Sequence, residues 1–549
     1  QFNSNMVMPV SVATSTFFTF GGSNTGNNTF AGTIGDPGGA NTLGILKWDA
    51  GRWILSNTNN AYEGNTWIAN GTLSAPSLDL AANNQPLGKG SLILLGQGAN
   101  NGILEITGAS DSSTDKQVQI GNATPANTGA GSIINQGTGN LTFTNATFNP
   151  TISGITVART LTLGGSGTGV STIQGIIRNN ATGGAVALSK VGAGTWTLSG
   201  ANTYTGGTTI GNNSQNVGTL NITNGSALGT GAVTILSNTG STNFATLTLN
   251  SATGITVPNN FTTSGEGQGN NGIIRNVTGN NTISGTITLT SGGGSTRIHT
   301  DGGSLTLSNT IAPNATGRFL ILGGSATGAI SGAINNGSTT NVLSGLTKEG
   351  TSTWTLSANN GFSGPVAVNG GTLSITGVNN SFSGNIVVDG TNSMLQVTGS
   401  NGSATGGMLG FIAGGTTTAG YKTVTLQNGG IFRNTASFNN NVPTTALPAN
   451  GYVFTIGTGG GVFDVSSGTT LTIDDGTGTG TGTAASQLQG TGDLTKTGLG
   501  TFQFDDSTAY PGTITVTAGL LQPASGNAFG ANTAGTFIQS GAALNVNGV

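Results

Sequence analysis

The chain has 549 residues, 99 of them glycine, with 6% charged residues, a net charge of −3 and no cysteine. So little charge, with the 14 Lys and Arg residues scattered singly, leaves no stripe for phosphate neutralisation, so nucleic acid is not an expected partner. There can be no disulfide framework or thiolate metal site, and no window approaches ~18 consecutive apolar residues, so no helix is expected to cross a membrane. With 34% apolar residues and a near-neutral balance, the composition predicts an ordered chain with many tight turns rather than a disordered one.

Residues 1–30 form an N-terminal strand segment. In "NMVMPVSVATSTFFTF", Met6, Met8, Val10 and Val12 alternate at period two, followed by Phe17, Phe18 and Phe20. At the end of a stacked fold such a strand either caps an open edge or is donated to the edge of another copy, which makes these four residues a candidate assembly strand. The start at Gln1 is consistent with a removed export signal.

The rest divides by an internal repeat into modules at 31–170, 171–325 and 326–485 and a partial one at 486–549. The phrase "LKWDAGRWILSNTNNAYEGNTW" from Leu46 returns as "LSKVGAGTWTLSGANTYTGGTT" from Leu188, "LTKEGTSTWTLSANNGFSGPVA" from Leu346 and "LTKTGLGTFQFDDSTAYPGTIT" from Leu494. Each copy places a lysine six residues before an aromatic: Lys47 and Trp53, Lys190 and Trp196, Lys348 and Trp354, Lys496 and Phe502. A second aromatic follows, Tyr62, Tyr204, Phe362 or Tyr510, and then a glycine two residues on. The lysines stand about 150 residues apart. These twelve positions are the expected structural anchors of the repeat, with the lysine read as solvated or as covering the nearby aromatic with its stem.

Between the phrases, apolar residues come in alternating pairs separated by Gly, Asn, Ser and Thr clusters: Trp196/Leu198, Leu220/Ile222, Val233/Ile235, Leu247/Leu249, Ile287/Leu289 and Leu305/Leu307. Period two predicts short strands with one buried face, and no stretch shows an apolar stripe at helical spacing. Strands offering only two or three inward side chains cannot fill a sandwich core. Stacking like positions coil on coil can, so the expected fold is an all-β solenoid, an elongated rod with roughly 20 to 25 residues per coil.

These phrases, with the flanking "GTLNITNGSALGTGAVTI", resemble the autotransporter-associated β-strand repeat, also called the passenger-associated transport repeat. The resemblance is specific at 188–235, good at 345–376 and 493–530, and looser at 45–95. It implies a right-handed parallel β-helix in an exported, cell-surface or extracellular bacterial protein, either an adhesin or a structural fibre. The chain stops at "ALNVNGV", without the membrane barrel that such proteins usually carry.

Chemistry is sparse. The single histidine, His299 in "STRIHTDGG", would share a strand face with Arg297 and Asp301, a set able to bind an acidic sugar, though a polar outer face is the simpler reading. The pairs Asp474/Asp475 and Asp505/Asp506 precede turn formers and converge only if they sit at a turn. "GTGTGTGT" from Gly476 has no phosphate-binding lysine. No cofactor, metal or catalytic residue is expected. The reading is a non-enzymatic structural solenoid, a fibre or matrix subunit whose partners are copies of itself. A passenger adhesin binding surface glycans is the alternative, and a glycan-degrading β-helix enzyme the second.

Overall fold

The structure is a computed structural model. It describes all residues except 7–15, 39–41, 122–128, 150–155, 212–216, 237–244, 378–382, 400–407, 410–421, 442–451, 475–486, 506–509, 525–528, 530–533 and 547–549. The regular elements among the described residues are strands joined by turns, apart from one single-turn 3-10 helix at Gln268–Asn270. Two compact units divide the chain, Gln1–Arg275 and Asn276–Val549.

In the first unit, consecutive strands do not pair with each other. Each pairs in parallel with the strand one coil later, so Val186–Lys190 lies beside Thr208–Ile210 and Trp196–Leu198 beside Thr219–Ile222. This is a parallel β-helix. One of its sheets runs from Asn28–Phe30 to Phe261–Ser264 and another from Ser112–Thr114 to Thr246–Asn250. The second unit repeats the arrangement, one sheet running from Asn280–Ile283 to Thr536–Ile538.

The period-two pattern is the physical reason for the strands. Alternate residues are buried and half-exposed, as in Trp196, Thr197 and Leu198, so the apolar set faces the interior and Thr faces out. Equivalent inward positions stack in columns: Trp196 on Leu220 and Leu247, and Leu198 on Ile222 and Leu249. Each fully buried Leu or Ile contributes about 1.5–3 kcal/mol, and only the coil above and below can supply that burial.

Coils vary in length more than the sequence pattern implied. The step from one coil to the next is 20 residues from Leu346 to Val366 and 38 from Ile386 to Val424. The strands at both ends of the longer step still pair in phase, Ile386 with Val424 and Val388 with Leu426.

Candidate functional site

The four repeated lysines are buried, each 0% exposed. This corrects the expectation of a solvated side chain. Lys47, Lys190 and Lys348 end their strands and Lys496 stands one residue before the end of Leu494–Thr497; in each the stem takes one rung of the inward column. Lys47 lies between Phe20 and Ile68, Lys190 between Leu163 and Ile210, Lys348 between Leu322 and Val368, and Lys496 between Phe463 and Val516. The signal for burial was in the period: in "LGILK" and "VALSK" the lysine falls on the inward beat.

The ammonium groups are met by backbone carbonyls of the corner that follows. Lys190 Nζ donates to Val191 O at 2.9 Å and Gly192 O at 2.7 Å. Lys496 Nζ donates to Thr497 O and Gly498 O, both at 2.7 Å, and to Ala518 O of the next coil at 3.1 Å. Lys348 reaches Glu349 O and Gly370 O, and Lys47 reaches Trp48 O, Asp49 O and Asn70 O. The corner turns through a left-handed residue two after the lysine: Asp49, Gly192, Gly350 or Gly498, with φ between 56° and 73°. That conformation aims successive carbonyls at one point and explains the recurrent Lys-x-Gly. Burial pushes these amines below their ordinary value of 10.5, to about 7 for Lys190 and about 8 for Lys47, Lys348 and Lys496.

The aromatics complete the corner. Trp53, Trp196 and Trp354 donate their indole N–H to Gly21 O, Gly164 O and Gly323 O of an earlier coil at 2.9, 2.9 and 3.1 Å. Phe502, which has no donor, packs against Phe463 and Phe504 instead. Tyr62 and Tyr204 hydrogen-bond Thr66 and Thr208 through their hydroxyls at 2.8 and 2.6 Å. Where the third copy has Phe362, the matching position is Val366, so hydroxyl and partner are lost together. Tyr510, with Ile514 in that place, donates to Gly492 O at 2.5 Å.

An asparagine two residues before the second aromatic escaped the sequence reading. Asn60, Asn202 and Asn360 are buried and accept the backbone N–H of Ile34, Ile177 and Ile334 in the preceding coil. Asn60 and Asn202 also donate to Pro86 O and Ala227 O of the next coil. The Asn-x-aromatic spacing in three copies was the available signal. Six of the seven lysines are buried, because Lys116 and Lys422 are held in the same manner by Gly88 O and Leu409 O; the seventh is Lys89.

On the outer face, Arg297 and His299 project together from strand Thr296–Thr300, and Asp301 follows the strand. The sequence reading missed their partner. Glu349, two coils on, accepts from Arg297 Nη1 and lies 3.2 Å from His299 Nε2. It reaches past Gly323, where a Cβ would stand 2.5 Å from His299 Nε2. A carboxylate of the chain itself therefore sits where an acidic sugar would have to bind.

Asp474 and Asp505 are half-buried register partners on neighbouring coils, while Asp475, Asp506 and the Gly-Thr run from Gly476 lie outside the described residues. Among the described residues no three His, Cys, Asp or Glu side chains could hold a metal ion, and no helix is long and apolar enough to cross a membrane. Of the candidate assembly strand, Met6 bridges to Ile34 of its own chain, and Met8, Val10 and Val12 lie outside the described residues.

The passenger-associated-transport-repeat family matches at residues 45–75, 188–213, 346–375, 371–391 and 494–522, which are the lysine corners and the coil that follows each. The chain carries passenger-associated transport repeats. The repeat marks it as an exported, cell-surface bacterial protein. Among curated proteins it is similar to the "Adhesin BmaC autotransporter" of Brucella suis biovar 1 (strain 1330), 33% identical over 182 residues. That match covers 33% of this chain and spans 4% of the relative's length. No solved structure matches.

Proposed function

We propose that this chain is a stretch of an autotransporter passenger that acts as an adhesin, its stacked coils presenting outer surfaces to a binding partner. The observation that carries this reading is the 182-residue similarity to an autotransporter adhesin, joined to repeats whose anchors serve the fold and not a reaction. The four repeat lysines, Tyr62, Tyr204, Tyr510 and the single histidine are occupied by carbonyls, hydroxyls and Glu349, which favours recognition over catalysis. The fibre-subunit reading has less behind it, since Met6 of the supposed donor strand is paired within its own chain.

The test is retention under flow of beads coated with the full chain, on epithelial cells, matrix protein and abiotic surfaces, against beads coated with albumin. Retention above albumin on at least one surface is expected, with the soluble protein monomeric in negative-stain images. No retention on any surface would remove the adhesin reading, and filaments on the grid would restore the fibre.

A further inference from the structure

The second unit contains a cleft that the repeat anchors do not use. Its volume is about 520 Å³, and it is lined by Gly429, Thr458, Gly459 to Gly461, Val462, Thr491, Gly492, Asp493 and Thr495. That size lies in the range of small-molecule sites. It forms where corners of three successive coils are stripped of side chains, so that peptide planes make the floor.

The floor is rigid and its hydrogen bonds are already made. Asn428 N donates to Thr458 O, Gly429 N to Gly460 O, Gly461 N to Asp493 O and Gly492 N to Ile456 O, all between 2.9 and 3.1 Å. The fourth repeat holds one wall in place, because Tyr510 donates its hydroxyl to Gly492 O. What remains toward solvent is the hydroxyls of Thr458, Thr491 and Thr495 and the carboxylate of Asp493. That carboxylate is exposed and accepts a long 3.3 Å bond from Thr513 N.

The chemistry of this lining selects a ligand class. Asp493 is its only charged residue and there is no Lys or Arg, so an anionic group such as a uronate or sialate would be repelled. Val462 is its only large apolar side chain, so a lipid or aromatic ligand gains little. Hydroxyls that both donate and accept, beside a carboxylate able to take two O–H bonds from a vicinal diol, match a neutral sugar. A glycine floor lets a flat ring approach the backbone closely. We infer that this cleft is a subsite for a neutral hexose or N-acetylhexosamine, with Asp493 accepting from adjacent sugar hydroxyls. The inference rests on the adhesin reading and gives it a place on the molecule.

The experiment measures binding of the full chain to lactose, mannotriose, chitotriose and sialyllactose by calorimetry, with the bead assay run in parallel. Binding of at least one neutral sugar is expected, with sialyllactose weaker than lactose. Asp493→Asn, which keeps the shape and removes the charge, is expected to weaken that binding at least tenfold, and Thr458→Val with Thr491→Val to weaken it further. Glu349→Gln, elsewhere on the unit, is expected to leave it unchanged. The β-sheet circular dichroism and melting temperature of each variant establish that it is folded. Equal binding by wild type and Asp493→Asn, no binding of any neutral sugar, or a preference for sialyllactose would each overturn the site. If beads of Asp493→Asn still adhere as wild type does, the site fails and the adhesin reading survives; if wild-type beads never adhere, the adhesin reading itself fails.

Discussion

Replacing Lys190 by Met tests the account of the corner most directly. The side chain is fully buried between Leu163 and Ile210, and Met fills nearly the same column without the ammonium. A fall in pKa from 10.5 to about 7 corresponds to about 5 kcal/mol against the charged form in the folded state. Below pH 7 the lysine is protonated in both states and this cost is present in full. Between about 7 and 10.5 the folded chain has released a proton that the unfolded chain retains, so stability rises with pH by about 1.4 kcal/mol per unit from this residue.

Met removes the titration but takes a donor from Val191 O, a loss of about 1–3 kcal/mol, while Gly192 O keeps the N–H of Gly218 at 2.8 Å. Lys190→Met is therefore expected to be at least as stable as wild type at pH 6 and less stable at pH 10, where a neutral amine still donates its bonds. Urea denaturation of both proteins from pH 6 to 10 at fixed ionic strength reads the difference, in which the other lysines cancel. Parallel curves would refute the reasoning, for they would mean that two carbonyls solvate the ammonium as well as water does.

Asn202→Ala strands the Ile177 N–H and the Ala227 carbonyl between coils and is expected to cost about 2–4 kcal/mol, read as a lower urea midpoint with an unchanged slope. Tyr204→Phe and Thr208→Val together reproduce the pairing of Phe362 with Val366. A double-mutant cycle is expected to give a coupling of about 0.5–1.5 kcal/mol, and strict additivity would show that the buried hydroxyl pair is not the interaction. Glu349→Gln breaks a part-buried ion pair with Arg297 and is expected to cost about 1–3 kcal/mol, because the Arg297 charge is left without its carboxylate, with the melting temperature then less sensitive to salt than in wild type.

Much of the fold was legible because a strand's period is short and local. The Trp196-Thr197-Leu198 beat specifies which residues face inward without knowledge of any other coil. The same beat put Lys190 inside, yet lysine's charge argued for water and prevailed in the reading. What overruled it is a set of backbone carbonyls, which leave no trace in side-chain identity. Coil length was illegible for a related reason: Ile386 and Val424 pair in phase although 38 residues apart, so no pattern inside the strands registers the number of residues between them. The Arg297 and Glu349 contact depends on what the intervening coil lacks, a side chain at Gly323, and lies 52 residues apart in sequence. The Asp493 cleft is likewise made of missing side chains, which composition counts only as more glycine.

The manner in which the lysine is held bears on how such a chain can grow. A corner that depended on a particular acid elsewhere would have to be copied together with that acid. The carbonyls come first from the two residues that follow the lysine, and any residue type can offer one, so this corner travels as a self-sufficient cassette. Duplication can set it down beside any coil, and the surroundings are free to diverge, as the five residues 212–216 lengthen the second copy before Gly218.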